Sequence, residues 1–263
     1  METMMRTLTA TKYLNPLREG GSLPAIVEAD DNELYVMKFV GAGQGPKALI
    51  AELVAGEIAR MLGLAVPEIV LLQLDPLMGR SEPNAEIQDL LRASAGLNLG
   101  LRYLPNAFAY NSLLQPPPPP ELASAIVWFD AYVTNVDRTA RNVNLLVAQK
   151  KLWLIDHGAA LYFHHDWQDY LARSHSPFPM IKDHSLLPFA ANLAEADTAL
   201  RRQLDPDRLR QIIQLIPDVW LDHEPDFASQ REHRQAYIDY LLNRLEVSAI
   251  FVEEARRARA KLV

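Results

Sequence analysis

Apolar and polar positions alternate over two short stretches near the start of the chain, Ala25-Ile26-Val27-Glu28-Ala29 and Glu33-Leu34-Tyr35-Val36-Met37-Lys38-Phe39-Val40. Between them lies Asp30-Asp31-Asn32, a strong turn signal, so the pattern predicts an antiparallel hairpin. After a glycine-rich connector, Gly41 to Pro46, the period changes: Leu49, Leu53, Val54, Ile58, Met61 and Leu62 recur at helical spacing over residues 47–62, and Gly63 stops the helix. Apolar runs at 68–74 and 96–104 are short and bounded by Pro or Gly, and read as two more strands. Five prolines, Pro116 to Pro120, can continue neither a helix nor a central strand. They predict a stiff polyproline II spacer and the best boundary in the chain, dividing it into residues 1–115 and 116–263. A helix over 121–134, with Leu122, Ile126, Phe129 and Val133 on one face, opens the second part; helices near 205–216 and 229–259 close it. No internal repeat is visible.

Composition narrows the class. With 263 residues, 49% of them hydrophobic, the chain can fill one large core or two small ones. The opening residues METMMRTLTA do not make a signal-peptide core, and no apolar run reaches about 18 residues, so a cytoplasmic location is expected. Cysteine is absent, which excludes disulfides, thiolate metal sites and cysteine nucleophiles. Asp and Glu outnumber Lys and Arg by 33 to 26, so the overall field repels nucleic acid and anionic membrane, and neither is expected as a partner. The local cluster Arg256, Arg257, Arg259 and Lys261 fits a solvated last helical turn.

Chemistry concentrates in one stretch. Phe129 to Val147 contains Asn135, Asp137, Arg138, Asn142 and Asn144, and is followed by Lys151-Leu152-Trp153-Leu154-Ile155-Asp156-His157-Gly158. The order is helix, polar loop, apolar strand, turn, apolar strand, then Asp and Gly. One Asp five residues before an Asn, with a second Asp ending the next hairpin, can converge three oxygen groups. Phosphoryl transfer needs such a set: a carboxylate to accept the hydroxyl proton, and a carboxylate and an amide oxygen to hold magnesium against phosphates.

The Asn-x-Asp-x-x-x-x-Asn loop followed by a hairpin and a second Asp resembles the catalytic and metal-binding segments of the HipA-like serine/threonine kinases. The resemblance implies that Asp137 is the catalytic base, Asn142 a metal ligand, and Asp156 the principal Mg2+ ligand. Phosphatidylinositol kinases carry a similar Asp-Arg-His-x-x-Asn loop, from which this chain departs with Thr139 at the His position. A kinase also requires a strand Lys for the α- and β-phosphates and a helix Glu to hold it. Lys38 and Glu52 stand in that order; Glu57, about 140° further round the helix, is the lesser choice. Gly20, Gly21 and Ser22 lie where a phosphate-covering loop would precede the first strand, and serve equally as an ordinary flexible entry loop. Gly41 to Gly45, after the Lys strand, reads as a connector.

Other polar residues read as structural. Asp130 is expected to bond helix to loop, and Asn135 to hold the loop backbone. His164-His165-Asp166, with its neighbouring histidines on a strand facing opposite ways, does not make a zinc site. Trp128 and Trp153 read as core. His157 stands where protein kinases carry Phe.

The expected fold is therefore α+β, a bilobal protein-kinase-like arrangement with a strand-rich N-lobe, a helical C-lobe, and ATP between them. Adenine is expected against the strand ending near Tyr103. The motifs of the resemblance run from about Gly20 to Phe163, with the C-terminal helices alike only in class. The best-known relatives are longer toxin kinases with an added N-terminal subdomain and a DNA-binding antitoxin partner, and neither the toxin role nor that partner is expected of this shorter chain. The expected activity is ATP- and Mg2+-dependent transfer to a protein Ser or Thr. Two alternatives stay open: a small-molecule kinase of the aminoglycoside-phosphotransferase type, favoured by an acidic pocket around residues 177–195, and a nucleotide-binding pseudokinase or interaction module.

Overall fold

Why a hairpin forms first is visible in the turn: Asn32 sits at φ 62°, a conformation Asn tolerates, and its N–H closes on the Ala29 carbonyl at 2.9 Å. In the computed structural model, which describes residues 5–17, 23–43, 45–81, 83–113, 116–222 and 224–263, this hairpin joins β2 (Ala25–Ala29) to β3 (Leu34–Lys38). With β1 (Thr7–Pro16), β4 (Ile69–Leu74) and β5 (Gly96–Arg102) they close a barrel in the order β1-β2-β3-β5-β4. Its neighbours are antiparallel except β1 and β4, which pair in parallel through Thr7 to Thr9. Ala25, Val27, Ala29, Tyr35, Met37, Val70, Leu72 and Leu74 form a small cluster of their own, while Ile69, Leu71, Leu99 and Leu101 face the other way into the main core.

Helix α1 (Pro46–Met61) lies on that outer face. Gly45, at φ 64°, and Pro46 start it, and Gly63, at φ 76°, turns the chain away from its end. Gly56 sets how closely it can approach β4, since a Cβ there would stand 2.5 Å from Ile69 Cδ1. After α2 (Ala85–Ala93), capped by Asn84, the chain leaves the barrel at Arg102. Strand β6 (Phe108–Ala109) then pairs with β7 (Leu145–Ala148), and β7 with β8 (Lys151–Leu154), as a second sheet. The remainder is helical: α3 (Pro120–Tyr132), α4 (Tyr170–Arg173), α5 (Leu193–Gln203), α6 (Pro206–Gln214), α7 (Asp218–Leu221), α8 (Gln230–Glu246) and α9 (Ser248–Arg259). The architecture is mixed α and β, and no described helix is long and apolar enough to cross a membrane.

Three expectations need correction. The expected helix over 229–259 is two helices, broken at Val247 (φ −104°, ψ 24°). Val247 and Ser248 are weak helix formers, and the break sets Phe251 against Trp128 at 5.6 Å between ring centroids. Helix α3 does not bury one face only: every residue from Ala123 to Tyr132 except Ala125 is buried, because α5, α8 and α9 surround it. The His164-His165 pair sits on a 3-10 turn, Tyr162–His165, instead of a strand. The proline run gives no regular element until Pro120 starts α3; Gln115, at the expected boundary, lies outside the described residues.

Candidate active site

β3 ends on Lys38, whose alternation with buried Met37 and Phe39 turns its side chain to the α1 side of the sheet. There its Nζ lies 2.5 Å from Glu52 Oε2 and 2.6 Å from Asp156 Oδ1. Glu52 is fully buried in the middle of α1, a place where an unpaired carboxylate would be very costly. Burial works against the Lys38 charge, but the two carboxylates outweigh it and raise its pKa above the ordinary lysine range. For Glu52 burial pushes upward, and the Lys38 charge with the His157 contact more than reverses this, bringing it to about 2. Lys38 and Glu52 are therefore both charged, and the ammonium is shared by a helix and a loop far apart in sequence.

Asp156 follows β8 with φ 55°, a left-handed turn that leaves its carboxylate 48% exposed while the next side chain, His157, is fully buried. His157 Nδ1 stands 3.4 Å from Glu52 Oε1, and its ring meets Phe129 edge-on at 5.9 Å.

The loop after α3 presents Asp137. Asn142 donates from Nδ2 to Asp137 Oδ2 at 2.6 Å, and Asn144 donates to the same oxygen at 3.3 Å. Asn142 is exposed, and its Oδ1 takes no part in those bonds. Partial burial raises the Asp137 pKa; the Asn144 and Asn142 bonds oppose it, and the nearby Asp156 charge adds to it. A carboxyl raised in this way is suited to accept a proton. The loop itself is anchored from below. Buried Asp130 accepts from Asn135 Nδ2 at 2.8 Å, from Arg138 Nε at 2.6 Å, and bonds His184 Nε2 at 2.9 Å. Arg138 extends to the Asn144 carbonyl, and Asn135 Oδ1 accepts the Asp137 N–H at 3.1 Å. Asp130 and Asn135 thus hold the loop, as their sequence positions indicate.

The structure brings together Lys38, Glu52 and Asp156 in one cluster, and Asp137 with Asn142 in another whose charge Asp156 reaches. Glu57 is turned away, 3.6 Å from Arg60. Tyr103 follows β5 half-buried and donates its backbone N–H to the Leu34 carbonyl at 2.8 Å. Gly20, Gly21 and Ser22 lie outside the described residues. Gly41, Ala42, Gly43 and Gly45 lie between β3 and α1, as a connector would, with Gly41 donating its N–H to Ser94 Oγ. Within 177–195, Ala190, Ala191, Leu193, Ala194 and Glu195 line a cavity with Glu253, Arg256, Arg257 and Arg259, a lining of mixed charge and not the acidic one expected. His164 is buried and bonded to Tyr237 Oη at 3.0 Å. Trp128 is core, its Nε1 donating to Asp197, and Trp153 is half-buried. Sequence reasoning gave no site role to Asn144 or to the His157 contact; for Asn144 the available signal was a second Asn two residues beyond Asn142.

A family model described as HipA-like kinase matches residues 11–253, beyond the Gly20 to Phe163 span of the visible motifs and through the C-terminal helices. No curated protein sequence matches the chain. Among solved structures, a proinflammatory kinase from Helicobacter pylori, CtkA, is similar with a TM-score of 0.58 and 14% identity, covering 98% of this chain and 99% of that one. A Golgi casein kinase with Mn/ADP bound is similar with a TM-score of 0.52 and 11% identity, covering 98% of this chain and 76% of that one. At such identities the likeness shows a kinase-like fold.

Proposed function

The chain belongs to the HipA-like kinases, and from that premise we propose that it is an ATP- and magnesium-dependent phosphotransferase, in the first place a cytoplasmic serine/threonine protein kinase. In this reading the fold is bilobal, residues 1–115 and 116–263 forming the lobes, with the nucleotide between them and adenine near Tyr103. The observation that carries it is the Lys38 ammonium held at 2.5 and 2.6 Å between Glu52 and Asp156.

Lys38 offers its ammonium to the α- and β-phosphates, and Glu52 keeps it on station when Asp156 is engaged elsewhere. Asp137 accepts the proton of the acceptor hydroxyl on a carboxylate oxygen, with Asn142 and Asn144 orienting it. Asp156 and Asn142 Oδ1 are hard oxygen donors, few in number and partly exposed, which fits a cation that keeps water and phosphate oxygens in its shell. Held there, magnesium would neutralise phosphate charge. The kinase-like neighbour with Mn/ADP bound supports nucleotide and divalent-metal use.

A second reading, a small-molecule kinase with a cationic acceptor, is favoured by one observation. An open cavity of about 810 Å³ is lined by Asp166, Asp226, Glu232 and Asp239 beside Trp167 and Tyr170. A pseudokinase is disfavoured by the complete set Lys38, Glu52, Asp137, Asn142 and Asp156.

Purified chain incubated with γ-labelled ATP separates the three. Autophosphorylation or transfer to protein supports the first, transfer only to added amines the second, and binding without turnover the third. Metal dependence is read by thermal melts. At ligand about a hundredfold above its dissociation constant, ATP with magnesium stabilises by about 2.7 kcal/mol, a shift of roughly 5 to 10 °C. Asp156→Ala is expected to lose the increment that magnesium adds; equal increments in both proteins would remove Asp156 as a ligand.

A further inference from the structure

Consecutive residues of one turn grip both members of the Lys38–Glu52 pair. Asp156 takes the ammonium at 2.6 Å, and His157 stands against the opposite end, its Nδ1 3.4 Å from Glu52 Oε1. Among the described residues the two carboxylate oxygens divide cleanly: Oε2 bonds Lys38, and Oε1 has His157 as its one hydrogen-bond partner. Both side chains are fully buried, so no solvent replaces that contact. A carboxylate only accepts, which fixes the proton on Nδ1. Among the described residues His157 Nε2 has no hydrogen-bond partner and the ring rests edge-on against Phe129, so the Glu52 contact is what accounts there for an imidazole in place of an apolar side chain. Asp156 sits in a left-handed turn, φ 55°, and from it the two successive side chains reach the two members of the pair.

We propose that His157 is a positioning residue. Its Nδ1–H restrains the Glu52 carboxylate, aims Oε2 at Lys38, and ties helix α1 to the turn that carries Asp156. Its effect on catalysis rests on the phosphotransferase reading; its contact with Glu52 does not.

Two substitutions separate the bond from the shape. His157→Leu fills the pocket without a donor, and His157→Asn places an amide N–H near the Nδ1 position. Loss of one charge-assisted bond corresponds to about a tenfold change, so His157→Leu is expected to raise the KM for ATP, and the Kd for ADP with magnesium, about tenfold. His157→Asn is expected to restore most of that loss. In a Glu52→Ala background His157→Leu should add nothing, because its object is gone. A purely packing role predicts instead that Leu outperforms Asn and that the effects of His157→Leu and Glu52→Ala multiply; either result overturns the proposal.

A second measurement keeps the two questions apart. In histidine-labelled full chain, 15N NMR of the His157 ring, assigned by its loss in His157→Leu, should show a proton on Nδ1 whose resonance moves in Glu52→Ala. An unprotonated Nδ1, or a ring indifferent to Glu52→Ala, would refute the contact. If wild type neither binds nucleotide nor transfers phosphate, the phosphotransferase reading fails, and the NMR result still decides the inference.

Discussion

The buried lysine pair makes sharp demands on single residues. Lys38→Met removes the counter-ion of a carboxylate that is fully buried, and the phosphates lose their point charge as well. Transfer should fall by at least about a hundredfold, roughly the loss of 2.7 kcal/mol, while circular dichroism stays native; unchanged transfer would remove Lys38 from the site. Asp137→Asn keeps the shape and loses the proton acceptor, so calorimetric ATP affinity should hold while kcat drops. A collapse of affinity would assign Asp137 to metal binding. Asn144→Ala bears on pH. A bond to the ionised form lowers a carboxyl pKa, so removing the 3.3 Å bond should raise the already elevated Asp137 further and move the acid limb of kcat to higher pH. A limb that stays put or moves down would show that Asp137 is not the titrating base. Glu52 works in the opposite sense for stability. Its folded pKa, about 2, lies below the ordinary 4.5, so its contribution is present above 4.5 and lost as pH falls toward 2. Lys38, Glu52, Asp137, Asn142 and Asp156 were visible in the sequence because each follows from a local element and an order. The His157 contact was not, since it spans 105 positions of sequence and depends on a turn whose handedness no pattern announces.

Helix α1 carries Glu52, and one glycine decides how it sits. Gly56→Val would place a branched side chain against Ile69 Cδ1, where even a Cβ comes to 2.5 Å, and lift the helix from β4. The expected cost is about 1–3 kcal/mol, with a rise in the KM for ATP because Glu52 travels with the helix. A variant with wild-type melting and KM would show that the approach is not tight. The elements that alternate cleanly were legible, as with β2, β3 and α1. β1 was not, because of its ten residues only Ala10 is buried and its threonines give no apolar alternation. The break at Val247 was hidden for the opposite reason: apolar residues continue through it at nearly helical spacing, and the weak helix propensity of Val247 and Ser248 becomes decisive only with tertiary packing such as that of Phe251 on Trp128.

At the scale of the molecule the barrel and the helices share one core. Leu71, Leu99 and Leu101 from the strands belong to the same apolar cluster as Leu154, Ile213 and Trp220. Polar ties cross the same boundary: Trp220 Nε1 donates to the Leu97 carbonyl at 3.1 Å, the Leu154 N–H to the Ala65 carbonyl at 2.8 Å, and Lys47 pairs with Glu224 at 2.8 Å. Calorimetry should therefore show a single unfolding endotherm, and two resolved transitions would mean that the strands and helices melt independently. The polyproline run marks a change of composition along the chain, which is why it stood out in the sequence, whereas β6 already pairs with β7 before it. Closure of the five strands has one more consequence. With β1 hydrogen-bonded to β4 through Thr7 to Thr9 and to β2 from Ala10 to Pro16, the five strands close in sequence and none of them is an edge over its whole length. An incoming peptide finds no full-length edge to extend there, only the stretch of β1 beyond Thr9, which narrows the surface open to runaway edge-to-edge stacking, the route by which exposed sheets seed fibrils.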